Sequence, residues 1–544
     1  MLYAAAAFCF FGLRVALHPG SRLVGSGADP QIFVWSFAWW PHAIVHGANP
    51  IVTHAIWAPD GVNLAWTTTV PGLALLFSPL TAAIGAVASY NVAAVLMPAL
   101  SAWTAFLLCR RLTSQFWPSF VGGYLYGFSS YVIGQELGHL HASSVFLVPL
   151  VALVLLRYLD GELKGRGLVL RLGPLLALEL LLSTELIFTL TLAIAACLAL
   201  VVVFVPTRRR RVLSSLAPIA GAFLAAGILT APFDYYLLTG FHSEAFHPPS
   251  DFVADLANIV VPTKLVLVAH GWAGSIARNF PANDSERGAY LGVPVIVVIC
   301  LYAWSRLRTR AGRFLVASFL VALLASLGAT LTVNGHRSLP LPWEHLGYLP
   351  LFDNVLVVRL AVFTALTASV MVALWAASRG RGVLYWTLPA LCMLAVVPNP
   401  ASRGFASSFS VPRFFTSSAD RRCLGQGENI LPLPVTFDGN ANLWQVKSGF
   451  GFTMAGGYVF SGPPEAFLTP PDVFSIATGN HGDAEALRTY ITQKHVTTVV
   501  VDKRVSSSWA PALDRIAHPV DVDGVLVYRV RGTNRGCAPA RLTR

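Results

Sequence analysis

The chain has 544 residues, of which 55% are hydrophobic and only 12% charged, and its mean hydropathy is +0.62. No water-soluble domain of this length needs so much apolar side chain to fill a core, so the composition excludes an ordinary globular protein and points to lipid as the solvent. The formal charge of +12 does not signal nucleic acid, because the arginines are scattered among apolar segments and form no contiguous or aromatic-interleaved patch.

In chain order, apolar runs long enough to cross a hydrocarbon layer of about 30 Å recur from the N-terminus to Pro398, and about eleven spans are predicted. They lie at 2–17, 91–109, 117–134, 143–159, 172–186, 187–206, 214–232, 289–305, 313–333, 357–378 and 383–398. Peptide groups find no hydrogen-bond partner in lipid, so each span is expected to be a helix. The first lacks a basic flank and a small-residue cleavage motif and carries Arg14 in its outer half; it reads as an uncleaved anchor rather than a signal peptide.

Basic residues at 110–111, 157–171, 208–211, 306–313 and 379–381 fall at every second loop, which makes those loops cytoplasmic. With the N-terminus inside, segments 18–90, 233–288 and 334–356 and the tail from about 399 lie outside the cell membrane. Two apolar stretches, 31–46 and 71–87, break the alternation if read as spans. They are predicted to be interfacial half-helices, with Trp35, Trp39 and Trp40 in the headgroup layer.

Beyond the last span, 399–427 is rich in Ser, Pro, Arg and Gly and reads as a connector. From about Glu428 the apolar runs shorten to strands at 429–436, 496–502 and 525–530, with a helix at 483–494 beginning near Asp483. The expected organisation is therefore a membrane domain over 1–398, including the outer loop 18–90, followed by an extracytoplasmic α/β domain over 428–544. Five of the seven cysteines sit in or beside spans as small apolar fillers. Cys423 and Cys537 lie in the tail, in an oxidising compartment, and are a candidate disulfide; two free thiols are the alternative.

Few polar side chains remain to carry chemistry. Asp29, in Gly25-Ser26-Gly27-Ala28-Asp29-Pro30, is either a helix cap followed by its favoured proline, or a base that takes a proton from an acceptor hydroxyl or amine, or a metal ligand. Glu136, His139 and His141 cluster in the second outer turn; the two imidazoles, two residues apart, do not have metal-ligand spacing. Glu179 and Glu185 sit in or beside apolar helices, where an acid is expensive and usually has a purpose. For Glu185 that purpose is capping or substrate contact.

The third outer loop, with His242, Glu244, His247, Asp251, Asp255, Lys264 and Glu286, reads as a lid or cleft wall. Arg359, at an outer helix start, and Arg337, in the loop before it, would each grip a lipid-linked phosphate by forked hydrogen bonds or snorkel to headgroups. The sequence has no nucleotide-binding GxxxxGK[ST], no GxSxG, no HExxH and no CxxC, which removes ATP-driven transport and zinc proteolysis.

Five segments together resemble the GT-C superfamily of integral-membrane glycosyltransferases, particularly the bacterial aminoarabinose and mannosyl transferases. They are GADPQIFVWSFAWWPHAI, HGANPIVTHAIWAPDGVNLAW, ALSAWTAFLLCRRL, SYVIGQELGHLH and LWQVKSGFGFTMAGGYV. The resemblance implies a polyprenyl-phosphate-linked sugar donor, an extracytoplasmic glycan, lipid or protein acceptor, and an acidic catalytic residue in the first outer loop. Asp29 occupies that position, and Glu136 or His139 falls in the region of a second polar position. It also brings a divalent cation into view, although no DxD or ExD pair accompanies Glu136. The expected reading is an inverting sugar transferase with Asp29 as base, Glu136 and His139 orienting the acceptor, and Arg359, Arg337, Glu185 and Glu286 at the substrate. A transporter or flippase of a lipid-linked or polar solute, or a non-catalytic envelope assembly protein, are the alternatives.

Overall fold

A computed structural model describes residues 1–240, 251–349, 351–378, 382–459, 462–480, 482–532 and 537; His242, Glu244, His247, Arg379 and Arg381 lie outside the described residues. Most of the chain is helical. Among the described residues five helices are long and apolar enough to cross a membrane: Ala86–Thr113, Leu140–Leu159, Thr184–Phe204, Pro206–Thr239 and Val357–Ala376. Leu2–Ala16, Val293–Arg306 and Leu384–Ala395 are shorter apolar helices. The protein is an integral membrane protein.

Other expected spans take less regular forms. The segment predicted at 117–134 breaks into Phe116–Gly127 and Ser130–Gln135, because the Ser129 side chain accepts a hydrogen bond from the Val132 amide and starts a new helix. Gly165–Leu182 keeps one continuous helix but carries Arg166, Arg171 and Glu179.

The residues pack into two compact units that do not follow chain order. The first comprises Met1–Leu17, Asn91–Ala231 and His242–Ala406. Its central element is Val357–Ala376: 89% of that apolar window is buried, against 28% for Thr184–Phe204, so the former is enclosed by protein and the latter is left for lipid. The Phe116–Gly127 helix approaches its neighbours closely through glycine. A Cβ on Gly123 would lie 2.5 Å from the Ala102 carbonyl oxygen, and one on Gly127 2.5 Å from the Ala102 nitrogen, distances only a residue without a side chain allows. Elsewhere in this unit, Asp160 accepts from Arg111 Nη2 at 2.9 Å and from Arg208 Nη2 at 2.6 Å, and Glu162 pairs with Arg111 and Arg157. Three basic loops thus meet on two acids.

The second unit joins His18–Tyr90, Pro232–Phe241 and Ser407–Arg544. A five-stranded sheet runs in the order Pro519–Val522, Val525–Arg529, Thr498–Asp502, Glu428–Leu433, Phe452–Met454. Its last three strands are parallel and its first two antiparallel additions. The Ala484–Gln493 helix starts on Asp483, whose carboxylate accepts from the amides of Glu485 and Ala486, both at 2.9 Å. Cys423 and Cys537 are joined by a disulfide across 114 residues.

Loop 18–90, grouped from the sequence with the membrane part, packs on this sheet unit. Met454 N donates to Ala55 O, Ala58 N to Met454 O and Trp57 N to Gly456 O, at 2.8–2.9 Å, so the loop borrows the open edge of the sheet to satisfy its own backbone. Lys494 Nζ meets Asp60 at 2.9 Å. The tryptophans expected in the headgroup layer are instead buried in protein: Trp39 Nε1 donates to Pro50 O at 3.0 Å and Trp35 Nε1 to Gln445 Oε1 at 2.7 Å. A buried indole N–H calls for an acceptor; Trp35 and Trp39 have one, while the Trp40 indole N–H is buried without one among the described residues. The apolar side chains that do remain exposed on the Asp29–Val45, Pro71–Leu76 and Ser78–Ile84 helices are Ile44, Val45, Leu75, Leu76 and Ile84.

Gln445 is the hinge of this arrangement. Fully buried, it accepts from Trp35 and donates to the carbonyls of Ala55 and Phe452 at 2.7 and 2.9 Å. Gln445→Leu keeps the volume but strands the Trp35 indole donor and removes the amide's bond to the Phe452 carbonyl, while the Ala55 carbonyl keeps the Met454 amide. The expected loss is about 1–3 kcal/mol for each group that water cannot reach, read as a lowered Tm of the detergent-purified protein.

Candidate functional site

In the second unit, Asp29 opens the Asp29–Val45 helix, with Pro30 behind it. The chain reaches it through Gly25 and Gly27, both at positive φ (88° and 78°), a conformation glycine adopts without penalty. Ala28, not Asp29, is the N-cap, so the capping role that spacing suggested is not how the carboxylate is used. Half-buried, its Oδ1 accepts a hydrogen bond of 2.7 Å from the hydroxyl of Tyr458, a residue of the tail that sequence reasoning did not single out.

In the first unit, Arg359 lies at the start of the Val357–Ala376 segment and is only 4% exposed. Of the two roles expected for it, headgroup snorkelling is ruled out by this burial, and its guanidinium is turned onto two carboxylates. Nε donates to both oxygens of Glu286 at 3.2 Å and Nη2 to Oε1 at 2.6 Å; Nη1 pairs with Glu185 and lies 3.4 Å from His141 Nε2.

Glu185 is not the cap of its own helix, a place taken by the Ser183 side chain. Its second oxygen accepts instead from the amide of Leu356 at 3.1 Å. Glu286 is held from the other side by Gln135 Nε2 at 3.1 Å, and His139 Nδ1 stands 3.4 Å away; His139 also contacts Gln135 Oε1 at 2.8 Å. Burial alone would raise the Glu286 carboxyl, but Arg359, helped by His139, holds it well below the ordinary carboxylate range.

Four segments far apart in sequence therefore converge on one guanidinium. Gln135 was the missed member; it lies within the quoted SYVIGQELGHLH stretch, and a neutral amide gives no signal in a charge count.

The remaining expected residues sit apart from that cluster. Glu136 is 3% exposed and hydrogen-bonds Ser143; its Oε1 has no partner among the described residues. Burial pushes its carboxyl up to about 8, the Ser143 bond opposing. Glu179 is buried with neither oxygen hydrogen-bonded among the described residues. Arg337 has a side chain 57% exposed, with Nη2 3.9 Å from Asp251. It stands on a hairpin, Thr330–Val333 with His336–Pro340, whose turn is tied down by Asp255 accepting from the amides of Asn334 and Gly335 at 2.8 and 2.7 Å. Among the described residues no three His, Cys, Asp or Glu side chains are grouped to hold a metal ion.

Removing Arg359 leaves two acids in a site built around a cation. Arg359→Leu is expected to destabilise the protein by about 3–5 kcal/mol, visible as a large fall in Tm, with Glu286→Gln in the same chain recovering part of it. Glu136 imposes a pH dependence. Its carboxyl titrates near 4.5 when unfolded and about 8 when folded, so the folded state holds the extra proton between those values. Stability then falls as pH rises through that window, by at most ~1.4 kcal/mol per pH unit, and levels off above it. Glu136→Gln should flatten the dependence of Tm on pH over this range.

Residues 1–397 match a family model described as a domain of unknown function, DUF6311. No curated protein matches the sequence. Among solved structures, the arabinofuranosyltransferase AftD from Mycobacteria superposes with a TM-score of 0.60 at 14% identity, over 98% of this chain and 40% of that one. The chain thus spans about two-fifths of AftD's length. The Archaeoglobus fulgidus oligosaccharyltransferase in its apo form gives 0.52 at 12% identity, over 99% and 74%. The archaeal oligosaccharyltransferase AglB from Archaeoglobus fulgidus, in complex with an inhibitory peptide and a dolichol-phosphate, gives 0.51 at 12%, over 95% and 72%. With a family model covering most of its length and this architecture, the chain belongs to the DUF6311 family and has the GT-C fold.

Proposed function

We propose that this protein is a membrane glycosyltransferase that moves a sugar from a polyprenyl-phosphate donor to an acceptor outside the cytoplasmic membrane. The observation that carries the reading is Asp29: an oriented, half-buried carboxylate at a helix start, presented by a two-glycine turn and not consumed by capping. In an inverting displacement, the acceptor oxygen or nitrogen attacks the anomeric carbon as its proton passes to Asp29. The bond from that carbon to the phosphate oxygen breaks, and polyprenyl phosphate leaves with the electron pair. Arg337, exposed on its anchored hairpin, takes the phosphate charge. Glu185, Glu286 and His139 act behind it, fixing Arg359 and the start of its helix, and Glu136 lines the same outer turn.

The supporting topology has about eleven crossings. Loop 18–90, segment 232–241 and the tail belong to one compact unit, which supports a common side of the membrane for them. This agrees with an even number of spans in 91–232 and again in 289–398. The ion pairs that gather Arg111, Arg157 and Arg208 on Asp160 and Glu162 support a common, cytoplasmic side for those loops. The exposed apolar side chains of the two half-helix regions then rest on the outer leaflet.

The test is release of polyprenyl phosphate from a panel of polyprenyl-phosphoryl arabinofuranose, mannose and 4-amino-arabinose by the purified protein with envelope glycan as acceptor. Release from one donor is expected, and none from any of them counts against a transferase. Asp29→Asn should lower kcat by about a hundredfold or more; wild-type turnover at equal protein level removes Asp29 from the mechanism. Arg337→Ala should raise the donor KM about three- to tenfold with a smaller effect on kcat, and an unchanged KM places the phosphate elsewhere.

A further inference from the structure

The tail brings one more side chain to the reacting carboxylate. Segment 452–459 leaves the sheet at Met454, turns through Gly456 and Gly457 at φ 149° and 154°, and delivers Tyr458 to Asp29. Each step of that path is fixed. Gly457 packs against Ile56, where a Cβ would come within 2.9 Å. Asn442 Nδ2 holds the Tyr458 carbonyl at 2.7 Å, and Phe437 meets the phenol ring edge-on at 6.3 Å. The hydroxyl then donates to Asp29 Oδ1 at 2.7 Å, within the range of a strong bond to an ionised acceptor.

We infer that Tyr458 is a positioning residue for sugar transfer, orienting the Asp29 carboxylate and stabilising its charged form, so that the tail supplies part of the reaction apparatus as well as any contacts to acceptor. The inference rests on Asp29 acting as the base. Burial and the neighbouring carboxylate both raise the Tyr458 hydroxyl above its ordinary range, so it remains a protonated donor wherever Asp29 is ionised. A phenol in this role takes no proton from the acceptor. It restricts the carboxylate's rotation.

Tyr458→Phe keeps the ring and its packing and removes only the donor. It is expected to lower kcat by about ten- to hundredfold and to leave the donor KM within about twofold. Tm should stay close to wild type. Incorporating 3-fluorotyrosine at 458, which keeps the hydroxyl donor and the ring, should restore kcat to near the wild-type value. All three are assayed with the donor of the panel that the wild type turns over, beside Asp29→Asn. If Asp29→Asn is inactive while Tyr458→Phe retains wild-type kcat, the positioning role is overturned and the base remains. If Asp29→Asn is fully active, the reading of the base fails, and this inference with it.

Discussion

A peptide N–H or C=O carried into hydrocarbon without a partner costs several kcal/mol, and much of this molecule is arranged around that penalty. Its apolar segments are helices because only a helix settles its backbone hydrogen bonds internally. The segments that cannot be helical through lipid are gathered where other partners exist. Loop 18–90 finds them on the sheet edge of the tail, through the backbone bonds at Ala55, Trp57 and Ala58 and the amide of Gln445. Residues separated by some four hundred positions in sequence are thus made neighbours by the search for hydrogen-bond partners.

Charge is handled by the same logic at higher stakes. A buried guanidinium with two carboxylates does not stabilise a fold relative to well-packed apolar side chains, because desolvating the ions offsets most of their attraction. What the Arg359 cluster supplies is definition. Glu185 comes from one membrane helix, Glu286 from the turn after Asn283, Gln135 and His139 from the break beyond Ser130–Gln135, and Arg359 from the central helix. Only one mutual placement of those four segments satisfies all the partners, and any slip leaves a bare charge in the protein interior.

The sequence exposed the parts of this that depend on periodicity and composition. Apolar runs mark the long helices, the arginine alternation marks loops that meet on Asp160 and Glu162, and Asp483 marks a helix start. It misplaced what depends on long-range partners. Trp35 and Trp39 read as headgroup residues because indole prefers that layer, yet Gln445 and Pro50 satisfy their N–H groups inside protein. Arg359 read as a phosphate-gripping or snorkelling residue because the acids that hold it lie 73 and 174 positions away. Tyr458 gave no local signal at all, since a tyrosine after two glycines says nothing about a carboxylate 429 residues earlier.

The contrast between two carboxylates shows why identity alone does not assign a base. Glu286 faces a guanidinium that shares both its oxygens, with Gln135 and His139 around it; a carboxylate so clamped is committed to its cation and gains little by accepting a proton. Asp29 is met by a phenol, which fixes direction but leaves the negative charge uncompensated by that partner. An acceptor hydroxyl losing its proton in a displacement needs an anionic oxygen held in place but not neutralised. The Arg359 cluster answers the opposite requirement, and the proposed base is the Asp29 carboxylate, whose direction the Tyr458 hydroxyl fixes.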